Sequence, residues 1–242
     1  YRFPNTAAGK FYVNVATHPA SRRQGAGSAL LKAIERFCDD QGGRRLVGEV
    51  SDTDAESLAW VQRRGYAVKR HAFDSALDLV GFDEAAFDGV VEGVVQRGIR
   101  FFTLAEAPQA LQALYRLYEA TMIDIPGYEA QSFMTFDTWR RVLIGGEGAR
   151  PDWVFVAADG EQLVGVTQLV AHQDHVYTNH TLVDRAYRGR RIALALKLLA
   201  IRAARRHGAT NMRTGNDSLN APMLAVNRRL GYRPLAGQYE VV

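Results

Sequence analysis

The 242-residue chain holds one cysteine, Cys38, and four lysines, Lys10, Lys32, Lys69 and Lys197. A lone thiol excludes an intrachain disulfide framework and a multi-thiolate metal site, and fits a reducing, cytoplasmic compartment. None of the six histidines falls in an HExxH arrangement. His172 and His175 are close, but in an expected turn without a third ligand, so no metal is expected. No apolar stretch approaches the roughly 20 residues of a membrane span; the best run, Ile192 to Ile201, is broken by Lys197. No secretory leader pattern opens the chain. It begins at Tyr1 rather than Met, so a preceding segment is expected. A Pro-, Gly- or Ser-rich linker is also missing, which predicts halves that pack together rather than float.

What remains is an ordinary globular composition, 47% hydrophobic and 23% charged, with a formal charge of +4. Of the 30 basic residues, all but the four lysines are Arg. Arg forks bidentately onto phosphate, but the bias alone assigns no partner.

Set against itself with a shift of 166 residues, the chain matches without gaps from residue 20 to 66, with 12 identities in 47 positions. Ala20/Ala186, Arg22/Arg188, Gly42/Gly208, Leu58/Leu224, Gly65/Gly231 and Tyr66/Tyr232 are among them. The order repeats too: Arg-rich turn, helix, Gly, strand, helix, Gly-Tyr. Two copies of one domain follow from this. The expected organisation is an incomplete first domain over 1–80, a connecting helix within 81–98 and a full second domain over 99–242. The first copy has 21 residues before Arg22; the second has 87 from Gly98 to Asp184.

Periodicity predicts strands at 11–17, 46–50, 101–104, 153–158, 163–171, 176–183, 211–214 and 237–242, and an extended segment at 67–79. Helices are expected at 23–39, 54–64, 110–118, 135–144, 192–207 and 221–229, with Asp54 as an N-cap. Between Asp184 and Asp217 there is no acidic residue but nine basic ones. Four of them, Arg185, Arg188, Arg190 and Arg191, sit where a strand ends and a helix begins. Free N–H groups and the helix dipole favour an anion there, and Gly189 and Ala193 permit close backbone approach. A pyrophosphate suits the site. Arg22, Arg23, Gln24, Gly25, Ala26 and Gly27 repeat the device in the first copy. For any single Arg, a solvated helix face is the ordinary alternative. A nucleic-acid partner is disfavoured because the arginines bunch at one turn without interleaved aromatics.

Arg22-x-x-Gly25-x-Gly27, after a strand and before a helix, resembles the acyl-CoA signature [QR]-x-x-G-x-[GA] of the GNAT superfamily of N-acyltransferases. Arg188-Gly189-Arg190-Arg191-Ile192-Ala193 is similar, with Arg191 where the family usually has Gly. The second family motif is mirrored by Asn220, Met223, Asn227, Gly231 and Tyr232. The resemblance covers about residues 11–80 and 100–242. It implies an α/β (α+β) chain of two tandem domains, each a mixed, splayed, mostly antiparallel sheet flanked by helices, the first lacking its N-terminal arm. It further implies transfer of an acetyl group from acetyl-CoA to a primary amine of a small molecule or peptide by direct attack, chiefly in the second domain, in a monomer or homodimer.

On that resemblance, main-chain groups of Leu182 and Val183 bind pantetheine and polarise the thioester. Residues 188–193 hold the pyrophosphate, and Asn220 bonds the cofactor arm. The family's frequent proton-donating Tyr is replaced by Asn227 here and by Val61 in the first copy. Asn227, water, Ser218 or Tyr232 can take over the proton donor's part, and Tyr177 and Asn179, on one expected strand face with Thr181 and with His180 on the other, are the candidates for handling the amine's proton. Tyr115, Tyr118, Glu119, Asp124 and Tyr128 in the arm can face an amine or serve only packing. The alternatives are a non-catalytic acyl-CoA sensor or structural tandem, and a nucleic-acid binder.

Overall fold

The computed structural model describes residues 9–128, 133–146 and 149–242. The first half forms β1 (Lys10–Tyr12), α1 (Ala26–Asp40), β2 (Arg45–Ser51), α2 (Ala55–Gln62) and β3 (Val68–Asp78). α3 (Val90–Val95) joins the halves. It is shorter than the acidic 83–97 stretch predicts, and it buries Val90, Val91 and Val94. The second half has β4 (Ile99–Thr103), α4 (Leu111–Met122), α5 (Phe136–Trp139) running into a π turn, β5 (Ala149–Asp159), β6 (Gln162–Ala171), β7 (Val176–Val183), α6 (Ile192–Arg206), β8 (Asn211–Asp217), α7 (Ala221–Arg229) and β9 (Arg233–Val241).

The elements follow local chemistry. Asp54 caps α2, accepting from the Ser57 N–H at 2.9 Å, and Asn220 caps α7 through the Met223 N–H. α6 buries ten of its residues, Ile192, Leu196, Leu198 and Ile201 among them. Leu114, Leu117, Tyr118 and Trp139 form a second core beneath the arm.

Among the described residues, nine strands join one sheet in the order β1-β2-β9-β3-β8-β7-β6-β5-β4. The two halves therefore do not lie side by side as separate sheets. The last strand of each copy is inserted into the other: β3 pairs with β8, and β9 pairs with β2. The registers carry the repeat. All four β2–β9 pairs, from Gly48↔Val241 to Ser51↔Gln238, recur in β3–β8 when 166 is added to one partner and subtracted from the other, giving Ser75↔Thr214 to Ala72↔Asp217. Where β3 and β9 meet, Ala72 faces Gln238, its own counterpart 166 residues on. A pseudo-twofold axis thus runs through that pair, and sheet geometry confirms the internal duplication independently of residue identity.

Gly237 lies at this centre. A Cβ there would sit 2.4 Å from the Ala72 carbonyl oxygen and 2.5 Å from the Phe73 Cβ. Gly237→Ala should therefore destabilise the chain by about 2–3 kcal/mol, read from urea unfolding. A loss under about 0.5 kcal/mol would show that the central ladder is slack.

Candidate active site

β7 and β8 run parallel and pair over only three residues, Val176–Thr178 with Met212–Thr214. Beyond them the strands part. β7 is held on its other edge by β6 up to Val183, so from Asn179 onward its edge toward β8 has no ladder partner. The expected splay is present. In the first copy β1 stops pairing with β2 at the Val13 N–H to Val47 carbonyl bond, 2.8 Å, which is why 13–17 is not strand as its alternation predicts.

Two cavities open in the gap. The first, about 450 Å³, is lined by Leu182, Val183, Arg188, Gly189, Arg191, Ile192, Ala193 and Asn220, together with Val226 and other residues of α7. The second, about 310 Å³, is lined by Asn179, His180, Lys197, Asn216, Asp217 and Arg70, among others. Ile125, Thr181, Asn220 and Met223 line both, so the cavities meet at Thr181.

The turn before α6 carries two left-handed residues, Gly189 at φ +77° and Arg191 at φ +64°. The first copy places the same pair crosswise, Arg23 at +64° and Gly25 at +88°. Alternating left-handed residues turn successive N–H groups to one side, a concavity that binds anions. At Arg191 the conformation costs a non-glycine residue roughly 1–2 kcal/mol.

Arg185, Arg188 and Arg190 of this turn have partners. Asp124 of the arm accepts from Arg185 Nε at 2.8 Å and from Arg188 Nη2 at 2.5 Å. Arg188 also donates from Nε to the Val183 carbonyl at 3.1 Å, and Arg190 stacks on Tyr187. Arg185, then Arg188, hold the Asp124 carboxyl down at about 2 against its burial. This stabilisation is present above the unfolded aspartate value near 3.9 and is lost as pH falls toward 2. Asp124→Asn should thus unfold earlier than wild type in urea at pH 6, with the gap narrowing below about pH 4. A gap unchanged down to pH 3 would mean that the pair adds nothing.

Of the proton-handling candidates, Asn179 lines the smaller cavity. It is the extra residue of a bulge: Gln168 pairs with His180 and Leu169 with Thr178. The bulge breaks the strict alternation expected along β7, and Asn179, His180 and Thr181 all reach the cavity wall. Tyr177 points elsewhere, donating to Asp74 of the first half at 2.9 Å. Burial, then Asp74, push its hydroxyl above the usual tyrosine range. Asn227 is buried and donates to Asn216 Oδ1 at 2.7 Å, so its influence on the cavity runs through Asn216. In the arm, Tyr118 is fully buried and donates to Gln168, and Tyr115 donates to the Met134 carbonyl.

Sequence reasoning missed two wall residues. Arg70, from β3 of the first half, bridges Asp217 at 2.6 Å and Glu240 at 2.7 Å. Only the strand exchange brings it there. Lys197 is 2% exposed, and its interruption of an apolar run was the signal.

The first copy's turn is occupied differently. A Cβ on Gly27 would lie 3.5 Å from the Trp60 indole and 3.7 Å from Thr17. Trp60 stands where the second copy has Val226. Arg23 is paired with Glu56 at 2.7 Å, Gln24 donates to the Ala20 carbonyl at 3.4 Å, and Arg22 and Ala26 flank these residues.

The model of the acetyltransferase (GNAT) family matches residues 3–66 and 111–232. Mycothiol acetyltransferase of Corynebacterium glutamicum (strain R) is 24% identical over 230 residues, covering 90% of this chain and 70% of that protein. A GCN5-related N-acetyltransferase from Sphaerobacter thermophilus superposes with a TM-score of 0.71 at 19% identity, covering 98% of this chain and 73% of that one. A tandem GNAT protein from the clavulanic acid biosynthesis pathway gives 0.64 at 19%, over 97% and 75%. With its splayed sheet and duplicated turn–helix units, the chain belongs to the acetyltransferase (GNAT) family and is an acyltransferase.

Proposed function

We propose that this chain is an acetyl-CoA-dependent N-acetyltransferase that acetylates a primary amine of a small molecule or peptide in its second copy, working in the cytoplasm as a monomer or homodimer. The observation that carries this reading is the meeting of two unlike cavities at Thr181. The larger ends at the Gly189–Ala193 turn, whose N–H groups and helix N-terminus suit a pyrophosphate. The smaller is the more polar of the two, with Asn179, Asn216 and Asp217 in its wall, and suits an acceptor. Between them, the free edge of β7 offers the Val183 N–H to pantetheine and to the thioester oxygen, which gains negative charge as the amine attacks, whereas the Leu182 N–H turns to β6, in register with the Asp184 N–H bond to the Val164 carbonyl. Direct attack requires no enzyme nucleophile.

The repeat supports the choice of copy. Shifted by 166, Asn179, His180, Lys197, Asn216 and Asp217 become Val13, Asn14, Leu31, Val50 and Ser51. The first copy thus lacks most of the polar wall, and Trp60 lies against its Gly27. Its role is to supply β3, and with it Arg70, to the second copy's acceptor cavity. A nucleic-acid partner is disfavoured further because Arg185, Arg188, Arg202, Arg205 and Arg213 are paired with Asp124, Glu84 or Asp174.

The test is thiol release from acetyl-CoA with a panel of amino sugars, polyamines, amino acids and N-terminal peptides. Amine-dependent release with matching N-acetyl product is the expected result. Acetyl-CoA binding without release to any of them favours the sensor reading, and no binding at tens of micromolar overturns both.

A further inference from the structure

The wall of the smaller cavity carries an amine that the fold does not require. Lys197 sits in the middle of α6, 2% exposed, and its Nζ has no hydrogen-bond partner among the described residues. Its contact there is the Tyr232 ring, 5.2 Å from Nζ to centroid. An ammonium without a partner is costly to bury. Packing does not explain it, because the first copy has Leu31 at the equivalent position of α1, 6% exposed. A leucine therefore satisfies this helix position against this sheet.

The titratable groups facing Lys197 come from each surrounding element. Asp217 of β8 lines the same cavity, but its Oδ2 accepts from Arg70 at 2.6 Å and its Oδ1 from the Leu219 N–H at 2.8 Å. Arg70 of β3 is held by Asp217 and by Glu240 of β9. Tyr232, after α7, is pushed above the usual tyrosine range by burial. His180 of β7 has a buried Nδ1 without a partner, and burial lowers it to about 4, which makes it a poor acceptor for an alkylammonium proton.

We infer, building on the acetyltransferase reading above, that Lys197 is the proton acceptor for the incoming amine. The acceptor enters as an ammonium, and the neutral Lys197 amine takes one of its protons. The freed nitrogen lone pair then forms the N–C bond to the thioester carbonyl, and the C–S bond breaks. The nitrogen's second proton goes to the departing thiolate, and Lys197 returns its own to water through the cavity mouth. Burial lowers Lys197 to about 7, so it is substantially uncharged near neutrality and matched to this role.

The test pairs the wild-type chain with Lys197→Leu, the residue that the first copy tolerates. Acetyl-CoA affinity should stay within about twofold, because Lys197 does not line the larger cavity. With an amine that wild type acetylates, kcat should fall by about 100-fold or more. The wild-type plateau above about pH 7 should give way to a rate that climbs with the amine's own ionisation. Lys197→Leu with more than a third of wild-type kcat and an unchanged profile would overturn the inference. Independently of turnover, ¹⁵N resonances of the four lysine Nζ groups should include one, absent from Lys197→Leu, with a midpoint between about 6 and 8. Four midpoints near 10 would also overturn it. A wild-type chain that acetylates no amine is a separate failure, that of the acetyltransferase reading itself.

Discussion

Gly189→Glu is expected to weaken acetyl-CoA binding by about 100-fold, roughly 2.7 kcal/mol, in a calorimetric titration. Two effects combine. Gly189 has a φ of +77°, which a side chain adopts only with strain of about 1–2 kcal/mol. A carboxylate in the turn also takes the place of the anion that the α6 N-terminus and its paired left-handed residues attract. No atom outside the flanking residues lies within 4 Å of a Cβ at Gly189, so the chain should remain folded. The mirror variant Gly25→Glu, with equal freedom around its Cβ, should leave affinity within about twofold. If Gly25→Glu alone disrupts binding, the first copy holds acetyl-CoA.

Arg70→Met should be the most destabilising of the substitutions discussed, by about 3–5 kcal/mol in urea unfolding. Arg70 joins the halves through charge: Asp217 and Glu240 are both buried and both accept from it. Without the guanidinium, two buried carboxylates are left without their cation. Arg70→Met combined with Asp217→Asn and Glu240→Gln should regain most of the loss. A loss below about 1 kcal/mol for the single variant would show that the bridge is solvated and weak.

Much of this molecule is legible before any coordinates. The 166-residue repeat, the cap at Asp54 and the Arg-rich turn before α6 all rest on local chemistry, which a linear reading captures; the Asn220 cap on α7 is not among them, because the sequence reading gave that residue to the cofactor arm. The fold departs from that reading where non-local pairing decides. β3 and β9 alternate like any half-buried strands, and nothing in their pattern says that each completes the other copy's sheet; only the shared register does. Arg70 was overlooked for that reason. The bulge at Asn179 likewise changes which β7 side chains reach the cavity, and a period-two argument has no means of placing it. Arg188 looks like a free phosphate ligand until Asp124, 64 residues away, folds over it. Lys197 is a different case. It was visible as the one charge in an apolar run, opposite Leu31 in the repeat. What the sequence withheld was that this face of α6 borders a cavity.

In a crystal structure of the chain grown with CoA, one CoA per chain is expected, its pantetheine between the diverging ends of β7 and β8 and its pyrophosphate at Gly189–Ala193, with Trp60 still seated against Gly27. CoA bound at Arg22–Gly27, or bound without entering the gap between β7 and β8, would contradict an acetyl-CoA site in the second copy's gap.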